Sequence, residues 1–151
     1  MKPTRRDALK TTGAFAALVS MGIATQSQAH AALERASFEV KTLADALKAL
    51  GGTPANSDQV TVVAPDIAEN GAVVPIGASS KLPNTTDIYL IVEKNPMPLA
   101  AAFSIPAGTA TEISTRLKMG QSSNVIAVVK ADGKLYSATK ETKVTLGGCG
   151  G

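Results

Sequence analysis

The chain contains very few of the side chains on which most enzyme active sites depend. Its 151 residues include one cysteine, Cys149, one histidine, His30, and no tryptophan. One cysteine cannot form a disulfide within the chain, and a zinc site needs several cysteine or histidine ligands. His30 lies in a segment that we expect to be removed, which also excludes a Ser-His-Asp triad or a Cys-His pair within one chain. The sequence therefore predicts no catalytic residue, no metal site and no cofactor.

The chain also lacks an excess of charge once its N-terminal residues are set aside. The whole sequence holds 15 basic and 12 acidic side chains, a formal net charge of +3. Residues 1–31 hold four of the basic residues and one of the acids, so 11 of each remain beyond residue 31. A basic protein often binds nucleic acid or an anionic membrane, but here the excess comes from the N terminus alone. We therefore expect no nucleic-acid partner.

Residues 1–31 have the pattern of an export signal. The sequence TRRDALK, with its pair at Arg5 and Arg6, resembles a twin-arginine motif. The apolar run that follows is shorter than the roughly 20 residues needed to span a bilayer. Ala29 and Ala31 have the small-x-small spacing of a cleavage site. We expect twin-arginine export to the periplasm with cleavage after Ala31, no membrane segment in the mature form, and cleavage after Ala29 or an uncleaved anchor as alternatives.

A short helical pattern follows the expected signal. Thr42 and Asp45 have the spacing of a capping box. Four apolar residues then share one helical face: Leu43, Ala46, Leu47 and Leu50. The Gly-Gly pair directly after Leu50 ends the helix, because glycine accepts the left-handed conformation found there. We expect this helix to cover one edge of the domain, or alternatively to contact a partner.

From residue 59 onward the apolar residues follow a period of two, which is typical of strands. Such runs occur near residues 60–64, 73–76, 88–92, 103–105, 113–117, 125–129 and 135–144. Asn70-Gly71 and Asp132-Gly133 lie between runs, and these dipeptides are strong hairpin signals. About seven short strands predict an all-β fold, an immunoglobulin-like antiparallel β-sandwich. We expect a helical segment over residues 32–58 and the sandwich over residues 59–146.

The chain ends with five residues that have the composition of a flexible arm: Gly147, Gly148, Cys149, Gly150 and Gly151. Glycine has high backbone entropy and no side chain to pack, so residues 147–151 are expected to be mobile. Fully extended, five residues reach about 17 Å. The nearest cationic side chain is Lys143, so nothing close by strongly activates the thiol. Three interpretations stay open from the residues alone: a covalent carrier, a disulfide to another chain, or an inert or artificial tail.

Five segments, taken in order, resemble the SoxY family, the sulfur carriers of the periplasmic thiosulfate-oxidising Sox system. They are LADALKALGG at residues 43–52, PDIAENGAVVP at 65–75, EKNPMPLAAAF at 93–103, STRL at 114–117 and the C-terminal residues 144–151. The resemblance covers most of residues 33–151, and the twin-arginine signal agrees with it. Ala8 departs from the phenylalanine more usual in such signals, which concerns export and not function.

The resemblance implies a carrier protein that has no catalytic site of its own. Cys149 would hold thiosulfate-derived groups covalently, and the four glycines around it would form the tether. The implied stable partner is SoxZ, and the implied transient partners are the cytochrome SoxAX, the hydrolase SoxB and the dehydrogenase SoxCD. The alternative from another class is an exported binding module that dimerises through a Cys149 disulfide. A self-sufficient thiol enzyme is disfavoured because the mature chain has no histidine to act as a base.

The loop that begins at Lys94 has two interpretations. Its sequence KNPMP is followed by Leu99, so apolar Met97 and Leu99 lie beside two prolines. Apolar side chains on a stiff loop are suited to docking a partner protein. A plain turn between two strands accounts for the same residues equally well, and the sequence does not decide between them.

Overall fold

The computed structural model describes Arg35 and residues 37–145. Residues 37–145 belong to one compact unit. The predicted signal and the predicted arm lie outside the described residues, and the predicted domain boundaries stay predictions. Among the described residues, no helix has both the length and the apolar character to cross a membrane.

Nine strands form two sheets in the described part of the chain. Two are very short: β1 (Ala55–Asn56) and β3 (Ile67–Ala68). Seven are longer: β2 (Val60–Val63), β4 (Val74–Ser80), β5 (Thr85–Val92), β6 (Leu99–Ser104), β7 (Glu112–Leu117), β8 (Ser123–Ala131) and β9 (Lys134–Val144). The large sheet has the order β1-β9-β8-β5-β6 with β3 also paired to β9, and the small sheet has the order β2-β4-β7. The longer strands all pair antiparallel. These seven strands confirm the predicted antiparallel β-sandwich.

The core lies between the two sheets and follows from the period of two. On β4, Val74, Ile76 and Ala78 are buried while Pro75 is exposed, because successive side chains of a strand point to opposite faces. Ile88, Leu90, Val125 and other inward residues of the large sheet meet them and have no exposed surface. The period of two at residues 88–92 and 125–129 of the sequence therefore matches the inner face of β5 and β8.

Helix α1 (Leu43–Leu50) begins and ends where the sequence predicts. The Thr42 hydroxyl accepts a hydrogen bond from the Asp45 backbone N–H at 3.1 Å, and Gly51 has a φ of 122°. Ala46 is fully buried and the leucines of the stripe pack beside it. Their contacts are on the outer face of the large sheet, against Ile91 and Val128. The helix therefore covers a face of the sandwich, and the expectation that it covers an edge is wrong.

The two dipeptides expected to mark hairpins behave differently. Asp132 and Gly133 both have positive φ, 50° and 72°, and they join β8 to β9 as a two-residue hairpin, as predicted. Asn70 and Gly71 instead connect β3 of the large sheet to β4 of the small sheet. Gly71 does not adopt a left-handed conformation, so the hairpin expected at this dipeptide is wrong.

Candidate functional site: the base of the C-terminal arm

The predicted site residues all lie outside the described residues. This holds for Cys149, for the four glycines around it, and for Arg5 and Arg6 of the predicted signal. The structure describes the end of the strand that leads into them. We call residues 143–145 the arm base, since the chain continues from Thr145 through Leu146 to the predicted arm.

One side of the arm base is held by the short strand β3. Ile67 and Ala68 run parallel to the last two residues of β9. The Lys143 N–H donates to the Asp66 carbonyl at 2.9 Å, and the Thr145 N–H donates to the Ala68 carbonyl at 3.1 Å. Each backbone hydrogen bond to an otherwise free strand end fixes the direction of the chain there. The point from which the arm departs is therefore determined on this side by backbone contacts.

The opposite side of the arm base is held by the loop between β7 and β8. The Val144 N–H donates to the Ser122 hydroxyl oxygen at 2.9 Å. Two residues earlier, Thr142 is paired with Ser123 at the start of β8 and is fully buried. The Val144 side chain packs against the core between the sheets. Hydrogen bonds on both sides and an anchored side chain make the arm base a fixed point.

Gly71 allows a third segment to approach the arm base closely. A Cβ atom at this position would lie 2.5 Å from the Met119 carbonyl oxygen and 2.8 Å from the Val144 Cγ1 atom. The Met119 N–H donates to the Gly71 carbonyl at 2.7 Å. The glycine is therefore required by the absence of space for a side chain, and not by its backbone conformation.

Replacing Gly71 with alanine is expected to lower the free energy of unfolding by about 2 kcal/mol, because the added methyl group displaces a backbone carbonyl. Gly120→Ala is the matched control in the neighbouring loop, where the added Cβ finds its nearest atom, the Asn95 Oδ1, at 4.0 Å. Urea denaturation of the full chain measures both variants. Equal unfolding free energies for the two would refute the close-approach account.

The arm base supplies no evident chemistry of its own within the described residues. There, no three histidine, cysteine, aspartate or glutamate side chains are grouped as a metal site requires. The ion pair recorded in this part of the chain joins Lys140 to Asp66 at 3.1 Å, and both side chains are substantially exposed. The arrangement fixes the position and direction of the chain at Thr145.

Four residues of this site were missed by reasoning from the sequence. Ser122 is a loop residue with no motif around it, and Asp66 and Ala68 contribute through their backbone carbonyls, which no sequence pattern reveals. Gly71 did carry a signal, since a glycine marks a turn or a close approach of the backbone. The Asn-Gly dipeptide favoured the turn, and the close approach was not predicted.

Comparisons with known proteins agree with this architecture. The family described as "Sulfur oxidation protein SoxY" matches residues 46–149. A solved structure, the sulfur carrier protein SoxY from Chlorobium limicola f thiosulfatophilum, is 37% identical with a TM-score of 0.62. The match covers 70% of this chain and 97% of that one. No curated protein sequence matches at a significant level.

A second solved structure shares the fold alone. It is the superoxide reductase (neelaredoxin) from Ignicoccus hospitalis, at 20% identity and a TM-score of 0.50. The match covers 58% of this chain and 80% of that one. Similar sandwiches serve unrelated functions, so this likeness says nothing about activity.

Proposed function

This chain belongs to the SoxY family of sulfur oxidation proteins, and on that premise we propose that it is a covalent sulfur carrier. Cys149 is the attachment point for thiosulfate-derived groups, and Gly147, Gly148, Gly150 and Gly151 form the tether. One observation above all supports the proposal: the family match runs to residue 149, so it includes the single cysteine of the chain.

The chemistry of the carrier follows from one thiol. In the loading step the Cys149 sulfur forms a bond to the outer sulfur of thiosulfate, with the loss of one proton and two electrons. The product is a cysteine S-thiosulfonate, and the electrons go to the cytochrome SoxAX. Hydrolysis by SoxB then breaks the bond between sulfur and the sulfonate group. One water enters, sulfate and two protons leave, and the persulfide stays on Cys149 as its anion.

The carrier needs no base or metal of its own in this scheme. The oxidant, the hydrolase and, where present, the sulfane dehydrogenase SoxCD are separate proteins that act on Cys149 in turn. SoxZ is the proposed stable partner of the sandwich. The composition supports a carrier that relies on separate enzymes, since the only histidine, a common catalytic base and metal ligand, lies within the expected signal. We propose that the protein works in the periplasm after twin-arginine export and cleavage after Ala31.

The first test is the intact mass of the protein, purified without reductant from the periplasm of cells given thiosulfate. We expect mass increments of sulfane sulfur or of a thiosulfonate group, removed by reductant and missing in Cys149→Ser. The same spectrum gives the mature N terminus and so the cleavage position. A bare thiol, or a Cys149–Cys149 dimer without a sulfur adduct, would contradict the carrier function. It would favour the alternative, an exported binding module that dimerises through a disulfide.

A further inference from the structure

Three loops and the arm base lie at the same end of the sandwich. The register pairs Val74 with Leu117, so the loop before β4 and the loop after β7 are neighbours. Val92 pairs with Val125, which places the loop after β5 beside the start of β8. The loops concerned are residues 69–73, 93–98 and 118–122. The end of β9 is at this same level, since Ser123 pairs with Thr142.

The loop over residues 93–98 is held rigidly at this end. The Asn95 side chain donates to the Lys118 carbonyl at 2.7 Å and accepts from the Gly120 N–H at 3.1 Å. The Lys94 N–H donates to the Ser123 hydroxyl oxygen at 3.0 Å, and the Gln121 side chain donates to the Lys94 carbonyl at 3.2 Å. A surface fixed in this way needs little ordering when a partner binds.

Exposed apolar side chains are concentrated at this end. The described residues include four large hydrophobic side chains that are exposed, and three of them lie here: Ile67 at 59%, Val73 at 50% and Met97 at 54%. The fourth, Val63, lies on the small sheet, away from this end. It pairs with Gly77 of β4, three residues beyond Val74, where β4 begins at this end. The three side chains are spread across this end, from β3 beside β9 to the loop between β5 and β6. Exposed apolar surface on one side of a protein is typical of an interaction site.

Three exposed lysines lie at this end, Lys94, Lys118 and Lys143, and no ion pair recorded in the described part of the chain includes them. The acids nearby are exposed Glu69, half-buried Glu93 and exposed Asp66, which pairs with Lys140. We name the surface made by Ile67, Val73, Met97 and the three lysines the arm face. The three lysines suit a partner surface that carries carboxylates.

The length of the arm determines which proteins must contact the arm face. Cys149 lies four residues beyond Thr145, and at about 3.4 Å per residue this stretch spans at most about 14 Å. An active site that acts on a group held by Cys149 must therefore lie within about 14 Å of Thr145, plus the length of the group. The protein surface around the entrance to such a site then contacts the residues around Thr145.

We propose that the arm face is the docking surface for the enzymes that process the group on Cys149. It fits an entrance that is apolar at its centre, with carboxylates beside it, and Met97 is its main apolar anchor. The inference rests on the proposed carrier function. The loop at residues 94–98 connects β5 to β6, as a plain turn does. The proposal adds docking to that role, because Met97 is exposed while Pro98 and Leu99 are buried.

The test uses the full chain in complex with SoxZ, loaded at Cys149 by tetrathionate. The thiolate displaces thiosulfate from this reagent and becomes the S-thiosulfonate, so loading requires no enzyme. Sulfate release by purified SoxB is then followed at varied carrier concentration. We expect Met97→Ser to raise the KM about fivefold with kcat unchanged. About half of the Met97 side chain is exposed, and the serine variant no longer has this apolar surface to bury when the enzyme docks. The matched control is Val63→Ser, a similarly exposed apolar residue outside the arm face.

Two further comparisons separate docking from the chemistry of the arm. Lys94→Glu is expected to raise the KM more at low than at high ionic strength. A loaded peptide of residues 145–151 is expected to have a far higher KM than the full chain. An equally good peptide substrate, or a KM for Met97→Ser that matches Val63→Ser, would overturn the docking surface while leaving the carrier in place. If SoxB releases no sulfate from the loaded wild-type chain, the proposed function itself fails.

Discussion

Cys149→Ser is expected to reduce thiosulfate-dependent electron transfer to the background rate in a reconstituted Sox system. The reason is that each proposed intermediate is bound through sulfur, and the chain has no other thiol. A serine hydroxyl is far less nucleophilic than a thiol at neutral pH and forms no persulfide. The measurement is the rate of cytochrome reduction after adding thiosulfate to SoxAX, SoxB, SoxZ and the variant.

The folded sandwich is expected to be unaffected by this substitution. The two sheets, α1 and their two cores are built from residues 37–145, and position 149 lies beyond them. Circular dichroism and the thermal unfolding midpoint therefore serve as controls, together with Cys149→Ala, which must match the serine variant. Turnover that persists in either variant would show that the sulfur group is carried elsewhere.

The alternation of apolar residues predicted the long strands well because burial has a simple period in a strand. On β8, Val125, Ala127 and Val129 are all buried in the core between the sheets. The Asp132-Gly133 dipeptide predicted its hairpin correctly, because these residue types accept positive φ and two consecutive residues with positive φ form a two-residue hairpin turn. The stripe of α1 was predicted for the same reason, because a helix that must bury one face shows it in its spacing.

The parts that could not be predicted depend on which segments meet in space. β1 and β3 pair with β9 over two residues each, and runs so short have no detectable period. Residues on the outer face of the large sheet, such as Ile91 and Val128, pack against α1 and the segment just before it. No local pattern around them indicates which surface the helix occupies. The close approach of Gly71 to Met119 likewise joins residues that are distant in the chain.

This limit bears directly on the candidate site. The sequence locates the cysteine and its glycines, but the arm base is made by backbone groups of Asp66 and Ala68 and by the Ser122 hydroxyl. Backbone donors and acceptors are common to all residues except proline, which lacks the N–H donor. Composition therefore indicates that there is an arm, whereas only the fold shows where the arm departs.

The double substitution Gly148→Val and Gly150→Val is expected to preserve loading by tetrathionate and to impair every enzymatic step. The small reagent needs only an accessible thiol, which the variant retains. The enzymes need the thiol at a defined position, and branched side chains on both sides restrict the backbone and widen the peptide. Misplacing a reacting group by about 1 Å costs about a hundredfold in rate. We expect losses of that size in sulfate release by SoxB.

Leu146→Val is the control for this variant, because it places a valine in the same terminal segment at a position that already has a bulky side chain. It is expected to load and to react at rates close to those of the wild type. A KM that stays constant while kcat falls would locate the defect in the arm, since docking through the arm face does not involve these glycines. The contrary result is that SoxB and SoxAX both process the double variant at wild-type rates. That result would show that Cys149 reaches and enters the active sites of these enzymes without the thin, flexible backbone that the glycines provide.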